Sequence, residues 1–421
     1  MIAVLNAAAA LLGLAALFGF LNYRFLKLPQ PIGLVIIALL ASLAVIGLDA
    51  AIPGIGLVAD VRAAVIELHF SEALMQGMLS FLLFAGALHV DLGSLAARKW
   101  AIGTMASIGV LISTALVGFG IWGVFSLLGI SMPLIFCLVF GALISPTDPI
   151  AVLGILKTAK IPKSLEAKIA GESLFNDGIG VVVFIILAAI ALGGGHGGEA
   201  LDAGGIALLF AQEALGGAAL GLATGGLAFY AIRAIDQHNL EVIITLALVM
   251  VTYQIATVLH LSGPIAVVVA GLLIGNHGTR LAMSETTRLH LTNFWTLLDE
   301  ILNAVLFLLI GIELLVIPFQ TTPVLAALIA IPLVLAARFV SVGLPITLLG
   351  TFREFTKGAV PVLTWGGIRG GISVALVLSL PNSPEREVLL TVCYGVVLFS
   401  IVVQGLTIGR FARRIVGGGK D

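Results

Sequence analysis

Charged side chains are scarce in this sequence: 10% of its 421 residues are Asp, Glu, Lys or Arg, where an ordinary soluble domain carries about 25%. That shortage excludes a water-soluble globular protein. Apolar residues fill 60% of the chain instead, at a mean hydropathy of +1.19, so its solvent is the lipid bilayer. An excess of either sign is also missing, since 21 Lys and Arg face 22 Asp and Glu, and no basic surface offers itself to nucleic acid. Cysteine is limited to Cys137 and Cys393, both in apolar runs where a thiol behaves as a small hydrophobe. No disulfide framework, structural metal site or cofactor is expected. The apolar runs also lack the strict alternation of a membrane-spanning β-barrel.

Runs close to the roughly 20 apolar residues that cross a bilayer as helix recur from end to end. Thirteen are read, at 3–21, 31–48, 73–90, 101–128, 133–157, 165–193, 204–233, 239–259, 262–277, 292–316, 322–349, 358–380 and 386–414. The expected fold is an all-α polytopic membrane protein of thirteen transmembrane helices. The shortest run, 262–277, suits a tilted or partly re-entrant piece. Residues 49–72, with Asp60, Glu67 and Glu72, read as an outer surface segment, and the glycine-rich 193–205 with His196 as a flexible outer loop. His69, His89, His260, His277 and His290 fall near span ends, an ordinary interfacial position.

Lysine and arginine give the orientation. Seventeen of the 21 fall on connections after odd-numbered spans or in the tail, while only Arg62 and Arg386 fall on the opposite connections and Arg338 and Arg369 within spans. The positive-inside rule then puts the amino terminus outside and the carboxyl terminus in the cytoplasm. Residues 1–21 carry no positive charge ahead of their apolar stretch, so they count as a span rather than a cleaved leader.

An ionisable group inside a span costs at least a few kcal/mol and so marks function. Asp148, Glu172, Asp177 and Arg369 are such groups. Asp148 lies about nine residues, roughly 13 Å, from the cytoplasmic end of span five; Asp177 and Arg369 reach a similar depth in spans six and twelve. In Ser145-Pro146-Thr147-Asp148-Pro149 each proline removes a backbone donor and disfavours helix in the residue before it, so span five is expected to break there. The glycines of Gly366-Gly367-Ile368-Arg369-Gly370-Gly371 weaken span twelve at the same depth. Two six-span repeats flanking span seven make these spans counterparts, and their odd offset inverts one repeat relative to the other. Paired broken helices in inverted repeats point to the site of a secondary transporter, where freed carbonyls and carboxylates suit an alkali cation. On span six, Ser173 and Asp177 share one face and Glu172 and Asn176 another, where Glu172 is placed to neutralise Arg369 in a structural ion pair. Arg338 is expected to snorkel, or to pair with Asp299 or Glu300.

Ser-Pro-Thr-Asp-Pro at 145–149, Gly-Glu-Ser-Leu-Phe-Asn-Asp-Gly at 171–178 and Gly-Gly-Ile-Arg-Gly-Gly-Ile-Ser at 366–373, in that order, resemble the monovalent cation/proton antiporters of the NhaP and animal sodium/proton exchanger group. The resemblance runs over nearly the whole chain. It implies a homodimer in which a core domain, about 101–193 and 322–414, is built around crossed, discontinuous spans five and twelve. This core moves against a dimerisation scaffold of about 1–92 and 204–316. It also implies a cation and proton site at Asp177, completed by Asp148 and Thr147, with Ser173 as a ligand, Asn176 adjacent, and Glu172 and Arg369 as the stabilising pair.

The implied substrates are H+ and Na+, with Li+ or K+ as alternatives. Many relatives have a glutamate in span three, in a Leu-Leu-Phe-Glu context, where this chain reads Leu82-Leu83-Phe84-Ala85. The long cytoplasmic tail of animal exchangers has no counterpart, which favours a bacterial protein of the inner membrane. A cation channel fits isolated carboxylates and broken helices less well. A symporter for organic anions needs an unpaired Arg369, and an intramembrane enzyme needs a Ser-His, paired-Asp or His-rich pattern at midplane depth. A single carboxylate that takes either proton or cation gives electroneutral, one-for-one exchange.

Overall fold

The computed structural model describes residues 2–52, 77–90, 99–148, 163–193, 203–315, 320–350 and 358–416, with 56, 58, 59, 61–63, 152 and 317 between them. Asp60, Glu67, Glu72, His69, His196 with most of its glycine run, Pro149 and nearly all of span five beyond it lie outside the described residues.

Helix follows helix, with no strand among the described residues. The first are α1 (Ile2–Leu21), α2 (Gln30–Ala51), α3 (Leu79–Leu88), α4 (Ile108–Leu127, preceded by a short helix Lys99–Ala106), α5 (Leu134–Ile144) and α6 (Lys163–Ala191). Then come α7 (Gly217–Arg233, entered from Ala203–Ala211 through a π turn at Gln212–Gly216), α8 (His238–Val258), α9 (Gly263–Leu273) and α10 (Glu285–Ile312). The last are α11 (Thr321–Gly350), α12 (Ala359–Trp365), α13 (Gly371–Leu378) and α14 (Pro384–Phe399, continued through a π turn at Ser400–Gln404 into Gly405–Val416). Among the described residues, eight helical stretches are long and apolar enough to cross a membrane, and α3, α5 and Gly263–Gly278 are shorter apolar helices.

Local chemistry starts several of these helices. The hydroxyls of Ser262, Ser284 and Ser383 accept from the backbone N–H groups of Ile265, Thr287 and Arg386, capping α9, α10 and α14. Proline stands in the first turn of α2, α9 and α14, where its missing N–H leaves no bond unmade.

Packing divides the buried apolar side chains into two main groups. One joins α4, α5, α6 and α11 to α14, with α1, α2 and the far end of α10 attached. The other joins α3, α7, α8, α9 and the first half of α10 around Trp295, whose ring lies 4.7 Å from that of Phe84 and whose Nε1 donates to Thr245 Oγ1 at 3.0 Å. Gly217, Gly221 and Gly225, one turn apart on α7, face the backbone of α9, the close approach that small residues allow between membrane helices. Helix α6 lies at the boundary: Leu174 belongs to the second group, and Val181 and Phe184 to the first. The polar residues of α6 sit between them.

Candidate functional site

The site is built where two helices stop short. Helix α5 ends at Ile144, and residues 145–148 continue without helix. The Ser145 hydroxyl donates to Gly141 O at 2.6 Å and is hydrogen-bonded to the Ser113 hydroxyl of α4 at 2.9 Å, fixing the last turn. Between α12 and α13 the chain leaves helix at 366–370. The two interruptions meet: Asp148 N donates to Ile368 O at 2.7 Å. Backbone groups that each helix loses at its break are thus satisfied by the other, as burial requires.

Arg369 completes this crossing. Its Nη1 donates to the carbonyl of Ser145 and, at 2.9 Å, to that of Pro146, and its own N–H donates to Ser400 Oγ in the π turn of α14 at 2.8 Å. A guanidinium on the carbonyls just past the end of α5 sits against the negative end of a helix dipole, a favourable place for a cation. Gln404, from the same π turn, donates to Trp365 O at the end of α12 at 2.8 Å.

Helix α6 brings the remaining groups to the crossing. Asn176 Nδ2 donates to Thr147 Oγ1 at 2.8 Å while its Oδ1 accepts from Thr147 N at 3.3 Å, and the Ser173 hydroxyl donates to the Thr147 carbonyl. Asp177 is 5% exposed, and its Oδ1 has no hydrogen-bond partner. It lies within electrostatic reach of Asp148, Arg369 and Glu172. Thr147, Asp148, Ser173, Asn176, Asp177 and Arg369 therefore form one buried constellation. Its donor set is hard oxygen throughout, two carboxylates with a hydroxyl and a carbonyl beside them, which matches a hard cation. No group of three or more His, Cys, Asp and Glu side chains suited to a transition metal occurs among the described residues.

The expected partnership of Glu172 and Arg369 needs correcting. Glu172 pairs instead with Arg338 of α11, Nη1 to Oε1 at 2.5 Å, both residues buried. Arg369 is engaged by the carbonyls of Ser145 and Pro146, and Gly367 clears the way for Arg338: a Cβ there would lie 2.6 Å from Arg338 Nε. The expectation that Arg338 snorkels or pairs with Asp299 or Glu300 falls with it. Depth alone held the signal, because residue 338 lies about 11 residues, roughly 17 Å, from the end of its span, too deep to snorkel. Ser400 and Gln404 carried no comparable signal, since nothing in the sequence says that a π turn will aim them at the crossing.

The family model described as "Sodium/hydrogen exchanger, transmembrane" matches residues 12–414. The Na(+)/H(+) antiporter NhaP of Pseudomonas aeruginosa is 50% identical over 420 residues, covering 99% of this chain and 98% of that protein. The Na(+)/H(+) antiporter NhaH of Halobacillus dabanensis is 34% identical over 395 residues, with 93% of each chain covered. The solved structure of the sodium proton antiporter MjNhaP1 from Methanocaldococcus jannaschii at pH 8 superposes with a TM-score of 0.76 over 98% of this chain and 99% of that one. At 18% identity that likeness is one of fold.

Proposed function

The chain belongs to the sodium/hydrogen exchanger family, and from that premise we propose that it exchanges Na+ for H+ across a membrane through Asp177. The observation that carries the mechanism is the buried carboxylate oxygen of Asp177, without a hydrogen-bond partner, beside the crossing of two interrupted helices. An ionised carboxylate so placed requires a counter-charge. A proton or an alkali cation supplies it, and each excludes the other. Asp148 offers the second carboxylate, Thr147 and Ser173 keep oxygen lone pairs beyond those in their mutual hydrogen bond, and Asn176 holds Thr147 in place. Na+ added outside proteoliposomes is expected to drive protons out and make the lumen alkaline, whereas choline is expected to do nothing; a lumen pH that ignores Na+ overturns the proposal.

The same reading takes the chain as thirteen spans in two inverted repeats, in a bacterial inner membrane, with the amino terminus outside and the carboxyl terminus in the cytoplasm. It works as a homodimer whose core (about 101–193 and 322–414) moves against a scaffold (about 1–92 and 204–316). The packing group around Trp295 supports that division, being drawn from the scaffold except for Leu174, whereas α1, α2 and the far end of α10 pack with the core helices.

Exchange is expected to be electroneutral. Three carboxylates, Asp148, Glu172 and Asp177, share the site with two guanidiniums, Arg338 and Arg369. With Asp148 ionised throughout, a single proton or a single Na+ neutralises the remaining charge. A membrane potential acts at about 2.3 kcal/mol per elementary charge per 100 mV. Clamping it at either sign, at fixed gradients, is therefore expected to leave the reversal point unmoved, and a shift would mean that a second group also exchanges a proton.

Close packing makes a separate prediction. A Cβ on Gly370 would lie 2.5 Å from Asp148 Oδ2, so Gly370→Ala has to displace that carboxylate. Overpacking of this kind costs about 1–3 kcal/mol, and apparent Na+ affinity is expected to fall about tenfold. Gly226→Ala on α7, where a Cβ meets nothing within 4 Å, serves as the control. Equal affinities for the two variants would remove Asp148 from the cation site.

A further inference from the structure

A second acidic feature lies apart from the crossing. Between the start of α2 and the middle of α10 is a cavity of about 190 Å³, lined on one side by Gln30 and Pro31 and on the other by Asp299, Glu300 and Asn303. Its α2 wall, Gln30 and Pro31, is the first turn of α2, next to the connection that carries Arg24 and Lys27, so the crevice faces that side of the membrane; Arg288 stands in the first turn of α10, about three turns before Asp299. Asp299 is half-buried and Glu300 exposed.

Asn303 decides what the cavity can take. The residue is 4% exposed; its Nδ2 donates to Asp299 O at 2.8 Å, and its Oδ1 has no partner. Because the nitrogen is committed to a carbonyl, the amide cannot turn over, and the free atom is an acceptor. A buried acceptor beside two carboxylates excludes an anion and any ligand without positive charge or donors. The volume accommodates several water molecules, each taking roughly 30 Å³. The chemistry is that of a cation still carrying water. Asp299 also lies within electrostatic reach of Asp148 at the crossing.

We propose that the crevice between α2 and α10 is a second cation site, where a partly hydrated Na+ is held by Asp299, Glu300 and Asn303 before losing its water at Asp148 and Asp177. The inference rests on the exchange proposed above and adds a site on the route to it. A charged cleft raises the local concentration of its counter-ion about tenfold or more, so the site acts on capture from one face of the membrane only.

The test uses the full-length protein in proteoliposomes of known orientation, with Na+ varied on one face at a time and lumen pH followed by a dye. Asp299→Asn and Asn303→Leu are expected to raise the half-maximal Na+ concentration about fivefold when Na+ is supplied at the face where the crevice opens. The value for the opposite face and the maximal rate are expected to stay unchanged. A merely structural role for α10 would shift both faces together or lower the maximal rate, and either result overturns the proposal. Glu300→Gln, at an exposed position, repeats the test without risk to folding and is expected to give a smaller rise on the same face; no rise in any of the three overturns it. Wild-type protein that moves no protons on Na+ addition would instead overturn the exchange reading, so the two failures are distinguishable.

Discussion

Asp177→Asn is expected to abolish Na+-driven proton movement, by at least about a hundredfold, the lower end of what removing an essential proton-transferring group costs. The amide keeps the size of the carboxylate but neither ionises nor exchanges a proton. Its effect on stability is expected to run the other way. Asp177 Oδ1 is buried without a partner, and a neutral group there avoids the cost of holding a charge away from water. The melting temperature in detergent is therefore expected to be equal to or above that of wild type, as happens where a site is held at the expense of stability. Lumen pH and melting temperature, measured on the same preparation, check both halves. Robust pH-coupled Na+ transport by this variant would take Asp177 out of the centre of the mechanism.

The second large effect is expected at Glu172 and Arg338. Removing either partner of a buried ion pair leaves the other charge uncompensated, at about 3–5 kcal/mol. Glu172→Gln and Arg338→Met are each expected to lower the melting temperature sharply, and the double variant to recover much of the loss. A double-mutant cycle is expected to give a coupling of about 0.5–3 kcal/mol for Glu172 with Arg338, and a smaller one for Glu172 with Arg369, which bonds to the carbonyls of Ser145 and Pro146. Simple additivity at Glu172 and Arg338 would mean that the 2.5 Å contact contributes nothing. Because the hydrogen bond of Glu172 runs to Arg338 rather than to Thr147 or Asp177, residual exchange is expected in the folded fraction of each single variant.

Much of this site could be read from the chain because its physics is local. The prolines at 146 and 149 and the glycines at 366, 367, 370 and 371 act on the backbone beside them, so both interruptions were legible before any contact was known. Burial was legible too, since a charge in an apolar run has nowhere else to be. Pairing was not. Which of two arginines meets Glu172 depends on how α11 and the α12–α13 break are set against α6, and face periodicity says nothing about that. The two-face reading of α6 also separated Ser173 from Asn176, yet both reach Thr147, because residues three apart on a helix are only about 60° apart and stand side by side. The crevice at Asn303 was invisible as the pairing was: its meaning comes from α2, more than two hundred residues away in sequence.

The mutual satisfaction of the two interruptions has a mechanical consequence. A severed helix ordinarily behaves as a joint, with its stumps free to bend. Here the stumps are tied together by Asp148 N to Ile368 O, by Arg369 to the carbonyls of Ser145 and Pro146, and by Ser400 to Arg369 N. Bending either stump alone would strand several backbone groups where no water replaces their partners. If the core moves against its scaffold as proposed, the crossing is expected to travel as one block, with any bound ion aboard. The compliance that turns the site from one side of the membrane to the other is then expected elsewhere, along the seam where α6 meets α3 and α9.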